Sequence, residues 1–482
     1  MPVIPIKPDS PESLVDQIVS ALKQRVEERV LRPGARMPSI RQFAEQHDVS
    51  RFTVVEAYDR LVAQGYLVSR RGSGFYVAAR PLPASSEERK CVLERAVDAI
   101  WLMRGIFSNQ SLELKAGCGW LPEAWLDQDG IQRSLRTLAR EGGAHLTQYG
   151  EPKGHAPLRD QMQVLLAERG IAAQPSQIVL TKGASDALAL VSRYLLQPGD
   201  TVLVDDPGYY TLFATLRLTG ATLIGVPRTP DGPDLAALEK LVESHKPKAL
   251  FMNTVLQNPT GTNLTAAAAY RILQLAERHD FIVVEDDVFA DLEHKSAQRL
   301  ATLDQLNRVV YLGSFSKTIA PALRVGYIAC HCELAEALTN LKLLSGLTTS
   351  EICERVVYEI LTDGHHRKHL DRVRERLGRA IGTTCRRLED CGLTLYRQPE
   401  AGMFVWARLP EGLDAAEVAR RAAQDGIMLA PGNVFSPRLE SSGWLRFNVA
   451  FCGDGRLYRF LERAIEAGAT GPARARAEAA SH

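Results

Sequence analysis

The apolar positions near the start of the chain follow the periodicity of three short helices. Between Leu14 and Val26 they recur every four residues, which places them on one face of an amphipathic helix. Ser39 opens a capping-box pattern for a second helix, and Ser50 is placed to cap a third that ends near Gly65. The pattern therefore predicts one helix followed by a helix-turn-helix.

The segment after the third helix predicts a two-stranded wing. Residues 66–68 and 75–77 are apolar and flank a basic, glycine-containing turn at 70–74. We therefore assign residues 12–78 to a winged helix-turn-helix domain. Residues 79–110 show no clear periodicity and are predicted to be a linker.

From residue 111 onward the pattern changes to strands that alternate with helices. This alternation predicts an α/β domain with a mostly parallel sheet over residues 111–470. A long charged helix and two later strands indicate a smaller α+β lobe at about 355–470. The alanine- and arginine-rich residues 471–482 are predicted to be a disordered tail.

Composition restricts the function classes. The chain has 482 residues, a formal net charge of +1 and 24% charged residues, so it carries no overall basic excess for nucleic acid. Residues 31–80, however, contain eight arginines and four acidic residues, a local balance of +4. The basic charge is therefore concentrated in the winged helix-turn-helix domain, as a DNA footprint requires.

The eight cysteines and the apolar runs favour a cytoplasmic protein. The cysteines show no CxxC spacing, so neither a disulfide framework nor a metal site is predicted. The N-terminal residues lack an apolar run of signal length, and no later stretch approaches eighteen uninterrupted apolar residues. We expect reduced thiols and no membrane association.

The first 80 residues closely resemble the GntR family of winged helix-turn-helix regulators. The resemblance is carried by the runs 33–44, 49–54 and 61–67. It implies that double-stranded DNA is a partner and that five positions meet it: Arg41, Arg51, Thr53, Arg71 and Gly72. Phe52 is large and apolar at a position that can also face DNA.

The second domain contains a lysine suited to bind pyridoxal phosphate. Lys317 follows a strand-like run, where a neighbouring cation would lower its pKa as a Schiff-base nucleophile requires. Ser314, Ser316 and Arg324 are suited to a phosphate dianion. The spacing predicts a pyridoxal phosphate anchor.

Three further motifs follow strands in the same domain. Asp286 can pair with a protonated pyridine nitrogen, and Asn258 can donate to the phenolic oxygen of the cofactor. Gly183, Ala184 and Ser185 open a helix whose backbone N–H groups can bind the phosphate. The four sites together predict a cofactor site rather than separate solvated loops.

Together these motifs make residues 115–470 resemble fold type I aminotransferases, and the whole chain resembles the MocR subfamily of GntR-family regulators. The resemblance implies that Tyr209 stacks on the cofactor ring and that Tyr149 reaches the phosphate of a neighbouring subunit, which requires a homodimer. It also implies that Arg446 binds the α-carboxylate of an amino-acid-like ligand. The subfamily's usual tyrosine three residues after Asp286 is replaced by Phe289.

Two functions are compatible with these residues. The first is a transcription regulator that binds DNA and senses an amino compound, or pyridoxal phosphate itself, through an aldimine at Lys317. The alternative is an active aminotransferase for an α-amino acid and a 2-oxo acid. A dimer that has lost its cofactor is a weaker third. The complete recognition helix and wing favour the regulator, and so does Phe289, which lacks the tyrosine hydroxyl.

Overall fold

The computed structural model describes residues 12–27, 30–70, 73–78, 112–143, 146–293 and 297–479, with side chains through residue 467. The chain divides into two compact units, one on each side of residue 95. The predicted linker, 79–110, lies outside the described residues. Within the described residues, no helix is both long and apolar enough to cross a membrane.

The N-terminal unit is a winged helix-turn-helix, as predicted. Ser39 caps its second helix in a complete capping box, and the Ser50 side chain accepts from the Thr53 backbone N–H at the start of the third. Phe43 and Tyr58 are fully buried at its centre. The elements are α1 (Leu14–Glu27), α2 (Ile40–His47), α3 (Arg51–Ala63), β1 (Leu67–Arg70) and β2 (Gly74–Val77).

The second unit begins with a large α/β lobe. Its helices are α4 (Gln128–Glu141), α5 (Ala156–Glu168), α6 (Ala184–Leu195), α7 (Tyr210–Leu218), α8 (Leu235–His245), α9 (Ala266–His279), α10 (Leu300–Asp304), α11 (Cys332–Gly346) and α12 (Glu351–Thr362). Its strands are β3 (Ile178–Thr181), β4 (Thr201–Asp206), β5 (Thr222–Thr229), β6 (Gly232–Pro233), β7 (Ala249–Met252), β8 (Ile282–Asp286), β9 (Val309–Ser314) and β10 (Gly326–Ala329).

These eight strands form one sheet in the order β3-β10-β9-β8-β7-β4-β5-β6. The five strands from β9 to β5 run parallel, whereas β10 lies antiparallel between β3 and β9. Strands β3 and β7 are buried at every residue, because helices cover both faces of a parallel sheet. The prediction of a mostly parallel sheet is therefore confirmed.

The small lobe packs around a four-stranded antiparallel sheet in the order β11-β12-β14-β13. Its strands are β11 (Thr394–Leu395), β12 (Phe404–Arg408), β13 (Ala430–Pro431) and β14 (Trp444–Asn448). Its helices are α13 (His366–Asp390), α14 (Ala415–Gln424) and α15 (Gly455–Ala479).

Two predicted boundaries differ from the structure. The small lobe also includes residues well before 355, since Leu114, Ala116 and Leu121 are buried in its core and Leu114 bridges to Ile427. Leu114 and Ile427 lie far apart in the sequence, so no local pattern predicted that they would pair. The tail predicted to be disordered is helical through Ala479, because alanine and arginine, which suggested low complexity, are also strong helix formers.

Candidate functional site

Four of the predicted site motifs come together at one edge of the large sheet. Asp286 ends β8, Lys317 follows β9, Asn258 follows β7 and Gly183 follows β3. These strands all run in the same direction, so their carboxyl ends share one edge. In open α/β sheets this edge is where ligands bind.

Lys317 supplies a reactive amine at this edge. Its Nζ donates to the backbone oxygen of Gly119 at 2.7 Å. Burial, reinforced by the nearby Arg446 guanidinium, lowers the pKa of Lys317 to about 8. Arg324 also lowers this pKa, but it contributes less than Arg446 does.

Asp286 is a buried carboxyl opposite that amine. Burial and the neighbouring Asp287 raise the pKa of Asp286 to about 7. Its Oδ1 is buried and finds no hydrogen-bond partner among the described residues. The pKa of Tyr209 is raised by burial and also by the charge of Asp286, which places its ring beside this carboxyl. A buried acceptor of this kind is suited to a cationic N–H of a ligand.

An anion-binding cradle lies next to the amine. Gly183 caps the N-terminus of α6 at φ +82°, and a Cβ there would lie 2.7 Å from Nη2 of Arg324. Arg324 Nη1 is 3.5 Å from the Ser316 hydroxyl, and the hydroxyls of Ser314 and Ser316 are 3.1 Å apart. Helix N–H groups, two hydroxyls and a guanidinium together suit a phosphate. The predicted Ala184 and Ser185 form the first turn of α6.

Arg446 on β14 faces this cluster from the small lobe. It is 1% exposed, and its guanidinium lies 4.5 Å from the ring centroid of Phe404 and 4.9 Å from that of Phe435. Nη1 donates to Asn258 Oδ1 at 2.7 Å, and Nη2 donates to Gly117 O at 2.6 Å. The aromatic packing and these bonds hold the guanidinium in one orientation, so Arg446 is a buried residue of the site and not a surface arginine.

The predicted DNA-binding residues lie at α2 and α3. Arg51 is exposed on the first turn of α3, where Phe52 is 77% exposed. The Thr53 hydroxyl is 2.7 Å from that of Ser50, and Arg41 pairs with Glu45 at 2.8 Å. Arg51 is therefore the better placed cation. The remaining two predicted contacts, Arg71 and Gly72, lie outside the described residues.

Comparison with known proteins agrees with both units. The family model "Bacterial regulatory proteins, gntR family" matches residues 14–77, and "Aminotransferase class I and II" matches residues 126–463. The Escherichia coli regulator YdcR, described as an uncharacterized HTH-type transcriptional regulator, is 30% identical over 90% of this chain and 94% of its own length. The chain belongs to the MocR-type regulators of the GntR family.

Two further relatives are a regulatory protein and an aminotransferase of known structure. The probable rhizopine catabolism regulatory protein MocR of Rhizobium meliloti is 29% identical over 86% of this MocR-type chain and 85% of its own length. The crystal structure of LysN, an α-aminoadipate aminotransferase of Thermus thermophilus complexed with N-(5'-phosphopyridoxyl)-L-leucine, superimposes with a TM-score of 0.70 at 29% identity. It covers 80% of this chain and 99% of LysN. The predicted fold type I architecture is therefore confirmed.

The sequence did not reveal one site segment of this MocR-type regulator. Gly117 and Gly119 bring their carbonyl oxygens to Arg446 and Lys317, and the Asn448 side-chain amide donates to Cys118 O at 3.1 Å and to Trp120 O at 2.7 Å. A Cβ at Gly119 would lie 3.8 Å from Arg446 Nη2, an ordinary van der Waals contact, so this residue borders the guanidinium. The Gly-Cys-Gly spacing was the available signal.

Two other residues with predicted roles are placed as follows. Phe289 is 3% exposed, and its ring centroid lies 5.9 Å from Lys317 Nζ. The hydroxyl that a tyrosine would carry at this position is therefore absent close to the Lys317 amine. Tyr149 is 79% exposed and so remains available to a second subunit.

Substitution of Gly183 tests the cradle. We expect Gly183→Ala to weaken inorganic phosphate binding about tenfold, because its Cβ would push Arg324 away, and to reduce the phosphate-dependent rise in Tm measured by thermal unfolding. Gly199→Ala is the matched control: its φ is +92°, but nothing lies within 4 Å of its Cβ. It should lower Tm through backbone strain and keep the phosphate response. An equal phosphate response in the two variants would contradict the assignment.

Proposed function

We propose that this protein is a one-component transcription regulator that binds double-stranded DNA through residues 12–78 and pyridoxal phosphate at Lys317. The observation that carries the proposal is one site that combines a partly buried amine of lowered pKa, a buried carboxyl and an anion cradle. The Oδ1 of that carboxyl has no hydrogen-bond partner among the described residues. A complete winged helix-turn-helix precedes this site in the same chain. We place the protein in the cytoplasm as a homodimer.

The residues of the site fit the cofactor. Asp286 Oδ1 is free among the described residues to accept from the ring nitrogen, and a charged partner there would keep Asp286 ionised despite burial. Gly183, Ser316 and Arg324 would hold the phosphate, and Tyr209 would cover the ring. When bound, pyridoxal phosphate supplies a carbonyl carbon for amines and an electron-withdrawing ring.

Lys317 supplies the amine that holds this carbonyl. With a pKa of about 8, roughly a tenth of the Lys317 side chains are neutral at neutral pH, far more than for an ordinary lysine, and the neutral form is the nucleophile. Gly119 O orients Nζ by accepting its hydrogen bond. The chain thus prepares the amine by burial and by a nearby cation.

The orientation of the Arg446 guanidinium is evidence for an effector that resembles an amino acid. Its guanidinium is aligned by Asn258 Oδ1 and Gly117 O, and a carboxylate is its natural bidentate partner. A ligand carboxylate would compete with the carbonyl of Gly117. The recognised group is therefore the carboxylate of an amino acid, with the amine directed to the cofactor.

A route from this site to the DNA-binding domain follows from connectivity. The segment that starts at Leu112 directly follows the predicted linker, and Leu114 and Ala116 are buried in the small lobe. Its carbonyls contact Arg446 in the small lobe and Lys317 in the large lobe. A ligand that favours one arrangement of the lobes would therefore act on the end of the linker, as differential affinity requires.

Trapping the cofactor with borohydride tests the proposal. After incubation with pyridoxal phosphate and reduction, peptide mass spectrometry should place the label on Lys317. Lys317→Ala should lose it, while Lys182→Ala, which removes a nearby exposed lysine, should keep it. Because the pKa of Lys317 is lowered to about 8, the attachment rate should rise with pH below that value and level off above it. A label on another lysine would contradict the site.

Arg51 tests the DNA-binding half. On a duplex selected by the full-length protein from a random library, we expect Arg51→Ala to weaken binding about tenfold, because it removes a cation from the recognition helix. Arg60→Ala is the control on the same helix, since Arg60 is already paired with Asp16 and Glu56. Fluorescence anisotropy gives both affinities. Equal losses would show that the effect is one of general charge.

A second candidate is aminotransferase activity, which the complete Arg446 site favours. One relative is a 2-aminoadipate transaminase of Thermus thermophilus, 34% identical over 68% of this chain and 83% of its own length. Because Phe289 places no hydroxyl near Lys317, we expect slow turnover of 2-aminoadipate with 2-oxoglutarate, and Phe289→Tyr should increase it about tenfold. Wild-type turnover at about 10 per second, a typical enzyme value, would instead make the protein an aminotransferase.

A further inference from the structure

A cluster of buried charged groups lies outside the cofactor site, where α11 meets α12. Lys342 is 4% exposed and Glu354 is 1% exposed. The Lys342 ammonium donates to the Thr349 hydroxyl at 3.2 Å, and that hydroxyl donates to the Glu354 carboxylate. The threonine therefore connects the two charges.

The cluster holds two backbone segments together. Lys342 Nζ donates to Leu180 O on β3 at 2.8 Å, and Glu354 Oε2 accepts from His155 N at 2.8 Å. Leu180 N also donates to Lys153 O at 2.8 Å. Residues 149–155, which we call the Tyr149 loop, are thus fixed along the outer edge of β3, just before the Gly183 cradle.

Tyr149 projects from this fixed loop into solvent. The next residue, Gly150, packs against the cluster, since a Cβ there would lie 3.4 Å from Thr349 O and 3.3 Å from Glu351 Cβ. Tyr149 itself is 79% exposed. An exposed aromatic ring next to a hydrogen-bonded loop fits contact with a second copy of this chain.

Stability alone is a poor reason for this arrangement. Burying two charges costs several kcal/mol each, and a well-packed apolar pair of similar volume is often as stable. Burial lowers the pKa of Lys342 to about 8 and raises that of Glu354, so both charges bear a desolvation cost. What the pair provides is directional bonding to two specific backbone groups.

We propose that Lys342 and Glu354 are positioning residues that hold the Tyr149 loop, so that Tyr149 reaches the cofactor phosphate in the partner subunit. The inference rests on the proposed function, because it needs pyridoxal phosphate and a homodimer. Lys342 also holds Leu180, three residues before Gly183. The Lys342 ammonium therefore fixes the Tyr149 loop, which would contact the partner subunit, relative to the Gly183 cradle of its own subunit.

A double-mutant cycle on the full-length protein tests this role. The dissociation constant of pyridoxal phosphate is measured for wild type, Lys342→Met, Tyr149→Phe and the double variant. We expect each single change to weaken binding about tenfold and the double variant to bind no more weakly than either, because both act through one contact. Glu333→Gln is the control on α11, since Glu333 is an exposed acidic residue in the first turn of this helix; it should bind as wild type does.

A second variant addresses folding. Lys342→Met/Glu354→Leu removes both charges, leaves no unpaired buried ion and should show the same loss of affinity with a Tm close to that of wild type. Unchanged affinity in both Lys342 variants, or losses that multiply with Tyr149→Phe, would overturn the proposal. If wild-type protein fails to bind pyridoxal phosphate at Lys317, the proposed function falls as well, which distinguishes the two failures.

Discussion

Burial of the Lys317 amine beside a second buried cation, Arg446, is the constraint on which the ligand site depends. Desolvation and the neighbouring guanidinium both disfavour the ammonium form, so a neutral amine is available near neutral pH. The pKa of Asp286 is raised instead, because burial favours the neutral form of its carboxyl group. A bound cationic partner would favour the ionised form. The same low-dielectric site thus prepares a nucleophile and an acceptor for one ligand.

This arrangement requires both lobes of the second unit. Lys317 and Asp286 come from strand ends of the large lobe, whereas Arg446 comes from β14 of the small lobe. Gly117 and Gly119 connect them through two carbonyl oxygens on one short segment. That segment is buried in the small lobe and lies next in sequence to the predicted linker. The proposed signal from the ligand site to the N-terminal unit would therefore pass through it.

Buried charged groups outside the ligand site also fix the fold through directional hydrogen bonds. Lys342 and Glu354 bond to the backbone of Leu180 and His155 at the outer edge of β3 and so fix a loop whose tyrosine is exposed. In the N-terminal unit, Arg60 is held by two acids, while Arg51 stays exposed on the same helix. In both units, paired charges fix the scaffold and leave selected side chains free to meet a partner.

The sequence by itself determined the order of elements, the winged helix-turn-helix, the α/β class and the residues at strand ends, because periodicity, caps and turn residues are local. It therefore identified Lys317, Asp286 and the Gly183 cradle before any geometry was known. Only the tertiary structure showed that residues near 114 complete the small lobe, that burial and Arg446 lower the pKa of Lys317, and that Gly119 borders the amine. Burial and contacts between residues hundreds of positions apart decide these features, and no local pattern records them.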